Sequence, residues 1–283
     1  MGAIRKLIIN ADDYGASEEV NAAVEELVSQ GCLKSVSILA NGRLWKHSVA
    51  FLRLHPEVSA GVHLNIIEGQ PLSDGLRNSE LVDEGGRMKD RNFVMKYWLM
   101  NPGWTTAAVK QEWRAQILRL KGAGLELTHI DSHQHVHAFP PAFRIAVGLC
   151  REFGIKGMRI PAERNGLAER KLPCLALRAS IGISKLAASI EGLRTNEHFL
   201  GFKRAGGYGL PELCEDIPAL APGVTALRCS AGRFRRRRRN RSGGLTRGVL
   251  PSFLRCHRAF ARLPGCARAG HTCARPPGRM FMV

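Results

Sequence analysis

Three separated stretches carry the side chains that could do chemistry: the adjacent carboxylates Asp12 and Asp13, a histidine at position 63, and the segment Thr128-His-Ile-Asp-Ser-His-Gln-His-Val-His137. In the last of these His129, Asp131, His133, His135 and His137 recur with period two and would line one face if the chain stays extended. Five ionisable groups on a buried face carry a large desolvation penalty unless they pair or bind a metal. Mixed imidazole and carboxylate donors suit zinc or another divalent transition metal, and two imidazoles with one carboxylate leave coordination positions open to water and substrate. Successive side chains diverge at a strand exit, so one carboxylate of the Asp12-Asp13 pair can ligate while its neighbour stays off the metal as a general base. The chemistry implied is metal-assisted hydrolysis, in which the ion acidifies water and polarises a carbonyl. Each motif also has an ordinary reading. Asp12-Asp13 could be a turn or helix cap, His63 a hydrogen-bonded core histidine, and the His-rich stretch a solvated loop. Together the three favour a site.

The surrounding pattern explains how such residues could meet. Lys6 to Asn10 is a short β-branched run, after which Ser17 can cap a helix whose first turn holds Glu18 and Glu19. Val20, Ala23, Val24, Leu27 and Val28 recur at helical spacing, and Gly31 is a natural stop. The alternation continues with strands over 35–40 and 58–64 around a helix near 45–54. A less regular insertion covers 65–103. Helices over 107–120 and 141–153 then alternate with strands over 125–132 and 157–160, and 224–229 could form one more strand. Such alternation implies a mainly parallel sheet, and about 225 residues suit an irregular or incomplete (β/α) barrel. Asp12-Asp13, His63 and the His-rich segment then all fall at carboxyl ends of strands, the face where active sites assemble.

The formal charge of +18 is confined to one region. Residues 226–283 hold 15 Arg and no Lys, Asp or Glu, which leaves 1–225 with 27 basic against 24 acidic side chains. The sequence therefore divides into a near-neutral body, 1–225, and an Arg-rich, low-complexity tail, 226–283. Too little apolar surface is present in the tail to offset chain entropy, so it is expected to be disordered. Its residue set is what a shifted reading frame of GC-rich coding DNA would yield. No apolar stretch is long enough for a membrane span. No secretory segment is evident at the start, and the eight cysteines form no C-x-x-C motif, so free thiols and a cytoplasmic protein are expected.

Five motifs resemble the YdjC-like carbohydrate deacetylases: Leu-Ile-Ile-Asn-Ala-Asp-Asp-Tyr-Gly (7–15), Ser-Ile-Leu-Ala-Asn-Gly (37–42), Gly-Val-His-Leu (61–64) with Glu-Gly-Gln-Pro-Leu-Ser (68–73), His-Ile-Asp-Ser-His-Gln-His-Val-His (129–137), and Gly-Met-Arg-Ile-Pro-Ala-Glu (157–163). The resemblance implies an irregular β/α barrel, a divalent metal held by Asp13, His63 and His133, and Asp12 as the base. It further implies an acetamido sugar as substrate, hydrolysed to free amine and acetate. Family members are associated with magnesium, whereas two imidazoles favour zinc on softness grounds. Near the end of such proteins Cys-His-Pro-Gly is expected, but Ser230 stands where the histidine would be. The resemblance implies that this histidine donates a proton to the leaving amine, which leaves His135 and His137 as the candidates to replace it. Asp131 and Arg159 complete the candidates for substrate binding or proton donation.

Other readings stay open on sequence alone. A phosphoesterase could use the same ligands, often with a second metal. The tail could bind nucleic acid by charge without sequence specificity, and the chain could be an inactive remnant. No membrane partner is expected, and a homodimer is allowed.

Overall fold

The computed structural model describes residues 5–162, 191–201 and 219–230, the single residues 182, 188, 189, 216 and 217, and two short strands at 266–268 and 280–282. In chain order the elements are β1 (Arg5–Tyr14), α1 (Glu18–Ser29), β2 (Ser35–Ile38), α2 (Trp45–Arg53), β3 (Ser59–Leu64), α3 (Asp74–Arg77), α4 (Arg91–Met100), α5 (Pro102–Gly122) and β4 (Leu127–Ser132). A 3-10 turn (His133–Ala138), α6 (Pro140–Phe153), β5 (Gly157–Met158), β6 (Arg194–Thr195), β7 (His198–Leu200), β8 (Gly223–Ser230), β9 (Cys266–Arg268) and β10 (Met280–Met282) follow.

Local chemistry accounts for the helices. Ser17 accepts a hydrogen bond from Val20 N and caps α1, which buries Val20, Val24, Leu27 and Val28 against the sheet. Gly154, at φ 68°, ends α6 in the left-handed conformation that glycine adopts without a Cβ penalty. The irregular insertion contains α3 and α4, and α5 holds it in place through a buried carboxylate. Glu112 accepts hydrogen bonds from Leu72 N and Ser73 N, while Gln116 bonds both N and O of Asn65.

Every pairing between the named strands is parallel, in the order β6-β5-β4-β3-β2-β1-β8-β7. Only Asn196 and Glu197 separate β6 from β7, so one extended stretch pairs with β5 through Arg194 and Thr195 and with β8 through His198 to Leu200. The Asn196 side chain bonds Ile160 N and O and stitches this join. The sheet therefore curls into an irregular barrel, as expected from the alternation of elements. The chain 194–200 had no clear strand signal in the sequence.

Of the Arg-rich region, β8 continues through residues 226–230 in register with β1, so the sequence boundary at 225 falls inside a strand. In the tail, β10 pairs with Arg5 to Leu7 of β1 and β9 lies beside it. The rest of 231–283, expected to be disordered, lies outside the described residues.

Two glycines make room for His129, Gly61 for its ring and Gly157 for its Cβ. A Cβ on Gly61 would collide with that imidazole, and one on Gly157 would lie 2.9 Å from the His129 Cβ. Gly61→Ala is therefore expected to destabilise the fold by about 1–3 kcal/mol, the usual cost of overpacking. Urea unfolding measures this, and an unchanged midpoint would refute the close approach.

Candidate metal and catalytic site

Strand β1 runs beyond its β-branched core and includes both acidic residues, so Asp12 and Asp13 do not follow the strand but end it. Its pairing with β2 shifts register between Ala11 and Tyr14, and Asp13 lies at φ 64°. Such a conformation is strained for a non-glycine residue and is found at functional sites. It turns the neighbouring carboxylates apart: Asp12 is fully buried, while 14% of the Asp13 side chain remains exposed.

Asp13, His63 from the end of β3 and His133 just after β4 converge. Asp13 Oδ1 lies 2.7 Å from His133 Nδ1 and 3.2 Å from His63 Nε2. The two rings meet edge to face with centroids 5.6 Å apart. Burial alone would raise the Asp13 pKa, but hydrogen bonds to His133 and His63 outweigh it and hold the carboxyl well below its ordinary range. One donor atom from each of the three residues lies within 4.8 Å of the others. His63 Nε2 and His133 Nε2 are buried without a well-aligned hydrogen bond, as expected of nitrogens reserved for a cation. The donor set thus fits a divalent ion. A second triple, Asp12, His63 and Asp131, is equally compact, but guanidinium and hydroxyl donors already occupy the carboxylates of Asp12 and Asp131.

Asp131 orients His63. Its Oδ1 lies 2.5 Å from His63 Nδ1, while Oδ2 accepts from Ser37 Oγ at 2.7 Å and pairs with Arg159 at 2.9 Å. Fully buried, this carboxylate is set against the His63 ring, the Ser37 hydroxyl and the Arg159 guanidinium. Partners of this kind fix the ring and tautomer of a ligating histidine. Asp131→Asn is expected to weaken divalent metal affinity about 10–100-fold. Titration calorimetry reads this, and unaltered affinity would remove the orienting role.

Burial would lower the His63 pKa, yet the charges of Asp131 and Asp12 and the hydrogen bonds to Asp13 and Asp131 prevail and push it up to about 10. A histidine must be neutral to ligate, so metal binding displaces this proton. Apparent metal affinity is expected to climb with pH, most steeply below about 10. Calorimetry in buffers of differing ionisation enthalpy should detect the released proton. For the metal-free fold the sign is opposite: a raised histidine pKa stabilises below the unfolded value, and that stability is lost as pH rises through the folded value.

Arg159 ties the two halves together. Its Nη1 and Nη2 donate to Asp12 Oδ1 and Oδ2 at 2.6 and 2.8 Å, and Nη2 also faces Asp131. Asn10 donates to Asp12 Oδ1 at 2.8 Å. Arg228 of β8 places its Nε 2.9 Å from Asp12 Oδ2.

The expected alternation of the His-rich segment holds only through β4. After Ser132 the chain turns, with Gln134 and His135 at φ 49° and 58°, so His135 and His137 leave the extended face. His137 uses both ring nitrogens, one with Ser132 Oγ at 2.6 Å and one with Arg159 O at 2.7 Å, and burial pushes its pKa down to about 4. His135 is buried edge-on to Phe199, and burial with the charges of Arg159 and Arg228 holds it well below its ordinary pKa. His129 bonds Thr128 and Ser37. Sequence reasoning missed Arg228, Asn10 and Ser37, and also Glu68, whose carboxylate lies 3.3 Å from His133 Nε2. Ser230 ends β8 in register with Asp12.

The family model described as YdjC-like protein matches residues 6–248. A carbohydrate deacetylase from Oceanobacillus iheyensis is 35% identical over 147 residues, covering 52% of this chain and 61% of that protein. One from Brevibacillus brevis is 34% identical over 53% of this chain and 57% of its own length. The chain thus spans about three fifths of these two relatives. A carbohydrate deacetylase from Mus musculus is 29% identical over 234 residues, covering 76% of this chain and 74% of its own. Among solved structures, an Enterococcus faecalis protein described for cellobiose-phosphate cleavage shares the fold with a TM-score of 0.63, at 22% identity and 81% coverage of both chains.

Proposed function

The chain belongs to the YdjC-like family, and from that premise we propose that it hydrolyses the acetamido group of an N-acetylated carbohydrate, such as an N-acetylglucosamine-containing sugar, to free amine and acetate. The observation that carries this reading is the convergence of Asp13, His63 and His133 beside a buried Asp12. These three side chains would hold one divalent ion. Two imidazoles favour zinc, although magnesium is the ion associated with the family. Bound there, a divalent ion supplies Lewis acidity, acidifying water and polarising the amide carbonyl.

Asp12 acts as general base. Asn10 and Arg159 fix its carboxylate plane, so it meets the attacking water in one orientation. The water proton passes to Asp12 as the carbon–oxygen bond forms. When the carbon–nitrogen bond breaks, the leaving amine needs a proton. His137 has both nitrogens engaged, and His135 is held neutral by burial and two guanidiniums. The same Asp12 carboxyl therefore returns its proton to nitrogen. Cys32 and Cys150 are buried and outside any disulfide, in keeping with a reducing, cytoplasmic setting.

The test is acetate release from a panel of N-acetylglucosamine and its oligosaccharides, with added zinc or magnesium and with chelator. Release that chelation abolishes supports the reading. Hydrolysis of phosphate esters without acetate release would replace it with the phosphoesterase alternative.

A further inference from the structure

Arg228 is not needed to neutralise Asp12. Arg159 already grips both oxygens of that carboxylate, and Asn10 occupies a further acceptor position. Of its five N–H donors, Arg228 sets only Nε against Asp12, and at 2.9 Å that approach is an ion pair without an aligned hydrogen bond. Asp12 is its one ion-pair partner among the described residues. The side chain is nonetheless largely withdrawn from solvent, with 8% of it exposed. Gly201, at φ 111°, lets the end of β7 press on the Arg228 backbone, where a Cβ would come within 3.1 Å. The strand position from which the side chain departs is therefore fixed.

Charge points the same way. Three carboxylates, Asp12, Asp13 and Asp131, face two guanidiniums, Arg159 and Arg228. Among these buried groups, with a divalent cation bound and the histidines neutral, one positive charge is left over; the carboxylate of Glu68, 3.3 Å from His133 Nε2, is 59% exposed and lies outside that buried count. Such a charge is costly unless an anion joins it.

We propose that the free edge of Arg228 forms a carboxylate subsite beside Asp12 and that acetate binds there through paired N–H donors. The guanidinium fork matches a carboxylate bidentately, which a point charge does not. The identity of the anion as the released product rests on the deacetylase reading; the carboxylate site itself does not.

Acetate titration into the metal-loaded protein, followed by calorimetry, tests this. Saturable binding is expected, weakened about tenfold or more in Arg228→Met and less in Arg228→Lys, as befits loss of a charged hydrogen-bonded pair. Equal affinity in wild type and Arg228→Met, or no binding to wild type, overturns it. If Arg228→Met fails to fold, Arg228→Lys and a structure with acetate decide, because the carboxylate must then lie within hydrogen-bond distance of Arg228. Binding that chelation removes but Arg228→Met leaves unchanged assigns acetate to the metal and also overturns the proposal. Absent sugar deacetylation with Arg228-dependent acetate binding would refute the proposed function alone.

Discussion

Asp12→Asn is expected to lower kcat for acetate release about 10²–10⁴-fold, the usual contribution of a positioned general base, while metal content stays at the wild-type value. The asparagine amide keeps the shape of the side chain and an acceptor for Asn10 or Arg159, but it cannot take a proton from water. Because Asp12 sits between two guanidiniums in the barrel interior, the substitution leaves cationic groups less well compensated, and some loss of stability accompanies it. Kinetics and metal analysis on the same preparation separate the effects. Full activity in a folded, metal-loaded Asp12→Asn protein would sink the assignment of the base.

Removing a ligand acts earlier. His63→Ala is expected to abolish stoichiometric metal binding and to bring acetate release to background, because the ring supplies one of three donors within 4.8 Å. The vacancy also strands Asp131, whose buried carboxylate would face Arg159 and Ser37 but no imidazole. Thermal stability of the metal-free protein should therefore fall as well. Activity lost with metal content intact would show that His63 serves another purpose.

How far the sequence disclosed this arrangement depends on the kind of signal each part left. The helices α1, α2, α5 and α6 follow apolar periodicity, with a side-chain cap at α1 and a glycine stop at α6, and strands β1 to β4 follow short apolar runs between them, so the barrel was legible from local pattern. The convergence of Asp13, His63 and His133 was legible because acidic and imidazole side chains stood where parallel strands end. What could not be read was set by backbone turns and distant pairing. The left-handed conformation of Asp13, Gln134 and His135 has no sequence marker in non-glycine residues. It decides that Asp12 and Asp13 diverge and that His135 and His137 depart from the face of His129 and Asp131. The strands at 194–200 are too short for a period-two signal and depend on the Asn196 side chain for their attachment.

Arg228 was hidden for a different reason. It is one of 15 arginines in a stretch whose composition suggested only a basic tail. Its role depends on β8 lying beside β1 with Arg228 opposite Asn10, two residues from Asp12. Register across 218 residues of sequence leaves no local trace. Asp131 shows the converse. Its chemistry was visible, but its partners, His63, Ser37 and Arg159, were not.

The most direct measurement is anomalous diffraction at the zinc edge from crystals of the zinc-loaded protein. A single strong peak per chain, bonded to carboxylate oxygen of Asp13 and imidazole nitrogens of His63 and His133, is the expected result. A peak placed elsewhere, or ordered side chains at these three positions with no ion among them, would contradict the account.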